Sequence, residues 1–537
     1  MKIFQEALDE CGLRDLGFVG SKFTWFKNYQ NRGIVWERLD RAVATNEWVD
    51  LFPATKVHTL EVGSSDHKPI LILPSGFVVK QNRPWRFEQM WLEDDGCHDT
   101  VAVAWSINPE GSPMFKVVEK INTCQKKLRG WSKKNFCNVS RTLSEKKKSM
   151  KAVEELAVQG GDVDFFLQLK EEVQTLLRQE EKMWQQHSHD HWMVSGDKNT
   201  SYFHNRASHK FWKNTISEIK DAAGVTQRGD DKIAAFLVDY YQQLFSSVGL
   251  NGIEDVVQLT GRCVTEDMNS ALTADFSKVE VEVALKQMAP LKAPGPDRMP
   301  PIFFQHYWSS IGDDVVKAVL SCLNSSQILP GLNHTFLTLI PKVKCPKKAT
   351  DFRPIALCNI LYKFVSKVLA NRLKRILPQL ISESQSAFQS DKAISDNILM
   401  AFETPHHMKT KKFGKKGHLA LKLDMRKAYD RIEWVFFEKI MLKMGFNSKW
   451  VGWILECIRS VTYSILVNGE PQGHIVPTRG IRQGNPLSPY LFLLCSEGLN
   501  RLIQQVVTEE NIQGVSLCKN GPKISHLFFA DDSHLFC

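Results

Sequence analysis

A chain of 537 residues with 43% hydrophobic and 24% charged residues is too long for one ordinary core and too apolar for a disordered chain, so several compact units are expected. Its net charge of +10 is a modest tilt towards a polyanionic partner. Twelve scattered Cys without a CxxC pair exclude a disulfide framework and a zinc module and suit a reducing, intracellular compartment, while neither a signal-peptide core nor an apolar run of membrane-spanning length is present.

Residues 1–75 read as an α/β fragment. Strand-like runs such as Lys22–Phe26 and Pro69–Leu73 lie between Gly, Asn and Pro punctuation. Residues 76–274 read as a basic, largely helical linker that opens irregularly around Pro84, Pro109 and Pro113. Lys126, Lys127, Arg129, Lys133, Lys134, Arg141 and Lys146 to Lys148 follow, either as a solvated helix face or as a phosphate-tracking surface. Over 162–186, Phe165, Leu169, Val173, Leu176 and Trp184 recur at helical spacing. His187, His189 and His191 alternate in a polar stretch and read as solvated rather than metal-binding.

From 275 to the end, apolar strands alternate with amphipathic helices. In 418–424 the alternation of Leu419, Leu421 and Leu423 predicts a strand with one buried face, presenting Asp424 at its C-terminal end. Trp434, Phe437, Met441 and Met444 then predict a helix stopped by Gly445. Leu527 to Phe536 predicts a β-hairpin with Asp531 and Asp532 at its tip. Alone, such a pair reads as solvated turn residues. Together with Asp424 it gains meaning, because carboxylates about 4 Å apart repel by roughly 4 kcal/mol at an effective dielectric near 20 and call for protons or divalent cations. Oxygen-only ligands suit Mg2+, and two such ions suit nucleotidyl transfer. In 479–499, Ser488 is expected to cap a helix, with Pro489 in its first turn.

These segments resemble a known family. ALKLDMRKAYDRIEW (420–434), RGIRQGNPLSPYLFLLCSEGL (479–499) and HLFFADD (526–532) are similar to the palm motifs of plant LINE-type, non-LTR retrotransposon reverse transcriptases. APGPDRMPP (293–301), LIPKVKCP (339–346) with DFRPIALCNILYKFVSKVLANRLK (351–374), and SQSAFQ (384–389) resemble their entry, fingers and adjoining segments. The resemblance implies a right-hand polymerase of fingers and partial palm over 275–537. It implies Asp424, Asp531 and Asp532 as the catalytic ligands of two Mg2+ ions and Tyr429 as a steric gate, although a core aromatic is the other reading of Tyr429. Gln483 and Gly484 would lie beside the incoming nucleotide, and Lys342 and Arg353 on its triphosphate. The implied partners are an RNA template, a DNA primer or target and deoxynucleoside triphosphates, with no membrane, and the nucleus is where target-primed synthesis would run. An RNA-templated RNA polymerase shares the paired aspartates.

DLGFVGSKFTWF (15–26), ERLDRAV (37–43) and SSDHKPI (64–70) resemble the end of the LINE endonuclease, an α/β sandwich of the endonuclease/exonuclease/phosphatase type. By that match His67 is a general base oriented by Asp66, with Thr24 and Asp40 at the same site. SGDKNTSYFHNRASHK (195–210) resembles the connector. The family pattern has Gly at 298 and Asp at 485, where this chain has Arg298 and Asn485, and TPHHM (404–408) also departs from it. Because the metal-binding half of the endonuclease is absent and the chain stops five residues after Asp532, the expectation is no strand cleavage and a barely present return strand. The alternative function is then a catalytically inactive truncated remnant that at most binds nucleic acid.

Overall fold

The computed structural model describes residues 2–29, 33–52, 55–60, 66–74, 85–136, 139–158, 162–188, 213–221, 223–249, 251–343, 345–389, 392–410, 417–518 and 521–537. The 195–210 segment, His189, His191, Ser64 and Ser65 lie outside these. The chain forms two compact units: 1–100 with 127–229 and 340–353, and 101–126 with 230–339 and 354–537.

In the first unit, three antiparallel strand pairs form from short alternating runs: Leu13–Asp15 with Val43–Thr45, Trp25–Tyr29 with Gly33–Glu37, and Lys56–Thr59 with Ile70–Leu73. Single bridges from Val19 to His58 and from Trp25 to His67 tie them together. Asp15 anchors the loop that follows. Its partial burial would raise its pKa, but hydrogen bonds from Arg38, the Gly17 N–H and Arg41 outweigh that and hold it low. From 85 onward, helices Asp95–Trp105 and Pro113–Asn135 flank an irregular stretch that holds Pro109, while Pro113 opens the second helix, where a missing N–H costs nothing. The predicted helix at 162–186 is Val163–Ser188, packed on Val139–Val158 through Leu143, Leu169 and Val173. Phe165 is exposed, and Gln186 pins the helix end, accepting from Gln89 N–H and donating to the Phe87 carbonyl. His187 sits 2.9 Å from Glu88, in an ion-pair position rather than in solvent.

In the second unit, α1 (Asp230–Leu244) and α2 (Trp308–Ser325) lead into β1 (His334–Pro341), β2 (Phe352–Cys358) and the long α3 (Ile360–Leu380). After α4 (Ile394–Thr410) come β3 (Ala420–Asp424), α5 (Trp434–Met444), α6 (Ser448–Arg459), β4 (Thr462–Val467) and β5 (Glu470–Ile475). Then α7 (Ser488–Thr508) precedes the hairpin of β6 (His526–Phe529) and β7 (Asp532–Phe536). One sheet has the order β2–β1–β4–β5, with β1 and β4 parallel; the other has the order β3–β7–β6 and is antiparallel. The helices bury Trp450, Phe364, Phe437, Ile454, Leu373 and Leu493 between them. As predicted, α5 ends at Gly445, whose φ of 95° lets its N–H reach back to the last turn. Gly498 lets α5 approach α7, since a Cβ there would meet Phe436 at 3.0 Å and Ile440 at 3.2 Å.

Three expectations are corrected. Leu419, Leu421 and Leu423 are 58%, 45% and 38% exposed rather than buried, because among the described elements β3 packs mainly on its paired strand β7 and no helix layer covers its face. The return strand β7 is a full five residues and is the middle strand, paired on both sides. Ser488 is the first helical residue and makes no cap; Asn485 closes that turn instead, its Oδ1 accepting from Leu487 N–H at 3.2 Å.

Candidate active site

The β3–β7–β6 sheet carries the acidic residues. In antiparallel register Asp424 pairs with Asp532, and Asp532 pairs in turn with Phe529 across the hairpin. Directly opposed residues share a face, so Asp424 and Asp532 project from the same side of adjacent strands. Asp531 occupies the two-residue turn with Ala530, whose φ of 52° is unusual for a residue with a Cβ. The cation nearest to hand is Lys422, on the same face, with its Nζ 3.7 Å from Asp532 and both side chains more than half exposed. Farther from the turn, Met400, Ala401 and Met408 of α4 cover Leu527 and Phe536. On the opposite face, His526 meets Asn500 of α7 at 2.8 Å.

Tyr429 stands in the tight turn after β3. Its ring stacks on Phe492 at 4.9 Å with only 6° between planes. Burial, and then the negative charge of Asp531, push its phenol up to about 12, so it stays a neutral hydroxyl beside the carboxylates. The 479–485 segment is fastened to the same turn: Ile481 N–H donates to the Tyr429 carbonyl at 2.8 Å and Gly480 N–H to the Ile432 carbonyl at 2.7 Å. Gly480 must be glycine, because a Cβ there would lie 2.8 Å from the Asp430 carbonyl oxygen. Gln483 is held by its backbone, its carbonyl accepting from Ala356 N–H, while Gly484 (φ 98°) is exposed against β2. The segment is therefore tied at Ile481 to Tyr429 in the turn after β3, and at Gln483 to β2. Lys342 and Arg353 belong to the first unit, where both are exposed and the Lys342 N–H donates to the Asp351 carbonyl.

Beneath the Gln483 turn lies a network the sequence did not signal. Arg482 is buried, with its guanidinium 4.0 Å over the Tyr362 ring. It donates to Asn333 Oδ1, to the Tyr362 hydroxyl and to the Cys457 carbonyl. Asn485 Nδ2 donates to the same phenolic oxygen at 3.0 Å, and that hydroxyl donates onward to the Cys457 carbonyl. An Asp at 485 could only accept there and would bring a negative charge towards the buried guanidinium; Asn485 donates instead and is neutral. In the 293–301 segment, Asp297 accepts from Ile360 N–H at the start of α3, and its own N–H donates to Asn359 at 2.9 Å. Burial raises its carboxyl to about 6. Arg298 beside it has a φ of 52°, which explains why glycine suits that position.

The N-terminal cluster differs from its expectation. His67 Nδ1 lies 2.9 Å from Asp40 Oδ2, while Asp66 accepts from Trp25 Nε1 at 3.1 Å. Asp40, not Asp66, orients the imidazole. Asp66 turns to the Trp25 indole and His67 to Asp40. Thr24, 1% exposed, accepts from Asp40 N–H at 2.9 Å. Desolvation raises the Asp40 carboxyl, but the bonds to His67 and Thr24 prevail and lower it.

Among the described residues, no three His, Cys, Asp or Glu side chains are grouped to hold one metal ion. The donor set on β3 and β7 nevertheless fits hard divalent cations: carboxylate oxygens only, in register, and exposed enough to leave coordination positions open to substrate. No described helix is long and apolar enough to cross a membrane.

Residues 345–537 match the family described as "Reverse transcriptase (RNA-dependent DNA polymerase)". The chain is 26% identical over 301 residues to the transposon TX1 uncharacterized 149 kDa protein of Xenopus laevis, covering 55% of this chain and 22% of that protein. It is 25% identical over 270 residues to the retrovirus-related Pol polyprotein from type-2 retrotransposable element R2DM of Drosophila melanogaster, covering 50% of this chain and 24% of that one. An uncharacterized mitochondrial protein of Arabidopsis thaliana is 48% identical over 68 residues, which is 13% of this chain and 56% of that protein. The chain thus spans less than a quarter of the two transposon proteins it matches. Residues 345–537 thus match a reverse transcriptase domain of the kind found in non-LTR retrotransposons.

Proposed function

We propose that this domain is an RNA-directed DNA polymerase, extending a DNA primer with deoxynucleotides along an RNA template, in target-primed synthesis. The reading is supported above all by the register of Asp424 against Asp532, with Asp531 in the adjoining turn. That sets carboxylates on one open face, where they gain most from divalent cations. Asp424, Asp531 and Asp532 would hold two Mg2+ ions, whose chemistry there is to lower the pKa of an attacking hydroxyl and stabilise a leaving pyrophosphate. The chain's own residues orient the substrates. Tyr429, stiffened by Phe492 and kept neutral, stands where a flat hydroxyl-bearing ring discriminates the sugar. Gln483 and Gly484, on a turn anchored to β2, bring backbone close to the nucleotide. Lys342 and Arg353, both exposed, are the cations assigned to the triphosphate.

The test is primer extension on a poly(A) RNA template with an oligo(dT) primer, deoxynucleotides and Mg2+. Incorporation that Asp531→Asn abolishes is the expected result. Binding of the primer-template without any incorporation marks the chain as an inactive remnant, and preference for ribonucleotides identifies an RNA polymerase and removes Tyr429 as gate.

A further inference from the structure

At the sheet edge formed by β6, the hairpin has a support that the motif reading does not assign. The segment around Gln385 runs beside β6 like a short additional strand: Phe528 N–H donates to the Ser384 carbonyl at 2.8 Å and Ser386 N–H to the Phe528 carbonyl at 3.2 Å. Asn397 of α4 donates to that same Phe528 carbonyl at 2.9 Å, and Lys392 clamps the loop by donating to the carbonyls of Ser382, Glu383 and Gln385. From this fixed loop the fully buried side chain of Gln385 reaches the turn. Its Oε1 accepts from Ala387 N–H at 3.0 Å and from Ala530 N–H at 3.1 Å. Two backbone donors on one oxygen settle which end of the amide is which. Its Nε2 is buried and has no hydrogen-bond partner among the described residues, so among them the side chain is held by its oxygen.

Ala530 is the residue whose backbone is left-handed, next to Asp531. A Cβ-bearing residue keeps that conformation only where its surroundings enforce it. We propose that Gln385 is a positioning residue for Asp531. By accepting the Ala530 N–H it locks the two-residue turn and so fixes the carboxylate that follows. It touches no reacting atom; it acts through the turn. The role rests on the reading of Asp531 as a polymerase carboxylate, but the lock itself can be observed without turnover.

The experiment uses the full chain with Gln385→Met, which keeps length and bulk and removes the acceptor, Gln385→Glu, which keeps an acceptor oxygen at the same reach, and the double variant Gln385→Met/Ala530→Gly. Amide hydrogen exchange is read at Ala530, with Phe528, whose N–H donates to the Ser384 carbonyl, as the internal reference for the seating of the loop on β6, and primer extension is read as kcat and KM for the deoxynucleotide. In Gln385→Met the Ala530 amide is expected to exchange roughly 10²-fold faster while Phe528 stays protected. A misplaced catalytic group should lower kcat by roughly 10²-fold with little change in KM. Gln385→Glu restores protection, and Ala530→Gly in the Met background recovers kcat, because glycine takes the left-handed conformation unaided. Unchanged Ala530 exchange in Gln385→Met overturns the proposal, as does loss of protection at Phe528 as well, which would make Gln385 merely a core residue. If Asp531→Asn copies as fast as the parent, the polymerase reading fails, and the exchange data still decide whether Gln385 locks the turn.

Discussion

Two acidic clusters in this chain solve the problem of negative charge in opposite ways. In the first unit, Asp40 is bonded to His67 and Thr24, Asp66 to Trp25, and Asp15 to Arg38 and Arg41, so each carboxylate is answered by a neighbour. In the second, Asp424 and Asp532 stand directly opposed with one solvent-exposed lysine 3.7 Å away. An internally satisfied network explains a local fold. An opposed pair of carboxylates that the fold leaves unneutralised costs stability, like charges on facing strand positions being unfavourable, and points to partners supplied from outside.

The largest expected effect follows from that contrast. Asp424→Asn should reduce primer extension by more than about 10³-fold, the scale on which removal of charge stabilisation at a reacting phosphate acts, while making the sheet more stable by up to about 1 kcal/mol in the absence of divalent ions. Thermal unfolding with EDTA and with Mg2+ checks both halves: the parent should gain stability from Mg2+ and the variant should not. A variant that loses activity and also unfolds earlier in EDTA would put Asp424 among the structural carboxylates.

The Arg482 network sharpens the other side, since it is a buried charge fully answered from within. Arg482→Leu should cost roughly 1–3 kcal/mol, because it leaves Asn333 Oδ1 without this donor, whereas the Tyr362 hydroxyl keeps Asn485 and the Cys457 carbonyl keeps the Tyr362 hydroxyl. Denaturant unfolding measures it. A loss below about 1 kcal/mol would show that these acceptors find water instead.

His526 adds a pH signature to the hairpin. In its neutral form, Nε2 donates to Asn500 Oδ1 and Nδ1 accepts from the Ser525 hydroxyl, and burial lowers its pKa to about 4. The unfolded chain, near 6.5, takes up the proton first. The stability this residue contributes is therefore complete above pH 6.5 and is lost as pH falls towards 4, by up to about 3 kcal/mol. Asp297, raised to about 6, works in reverse: its contribution is complete below about pH 4 and is lost as pH rises towards 6. In His526→Gln the acid-side loss should flatten, leaving the opposite slope of Asp297 exposed in urea titrations between pH 4 and 7.

Much of the candidate site was legible because period and punctuation are local. The alternation up to Asp424, the 3–4 spacing ending at Gly445 and the apolar flanks of Asp531 each describe a few consecutive residues. What failed depended on neighbours distant in sequence. Leu421 and Leu423 alternate as a buried strand does, but burial required a helix layer that no described element lays over β3. Gln385 gave no local signal because its partner lies 145 residues away. Asp66 and His67 are adjacent in sequence and so looked like a pair, whereas the imidazole meets Asp40, 27 residues away, and Asp66 meets Trp25. Position 298 worked in the other direction. A departure seen in sequence became a strained φ in the fold, and Arg298→Gly should add about 1 kcal/mol by relieving it, measurable as a rise in thermal midpoint without change in primer extension.

The smallest effect is expected at Asp40. Its carboxyl is held low by His67 and Thr24, so its contribution is present above the ordinary carboxylate range and fades as pH drops through the lowered value. The pair is more than a third exposed on both sides, and solvent screening leaves it worth at most a few tenths of a kcal/mol. Asp40→Asn should therefore barely move the unfolding midpoint near neutral pH, and should leave primer extension untouched. Its informative readout is the NMR chemical shift of the His67 ring at fixed pH, which should move when the 2.9 Å partner is changed. An unshifted His67 would mean that the 2.9 Å contact does not persist in solution, and the N-terminal cluster would then lose its claim to be a self-satisfied network.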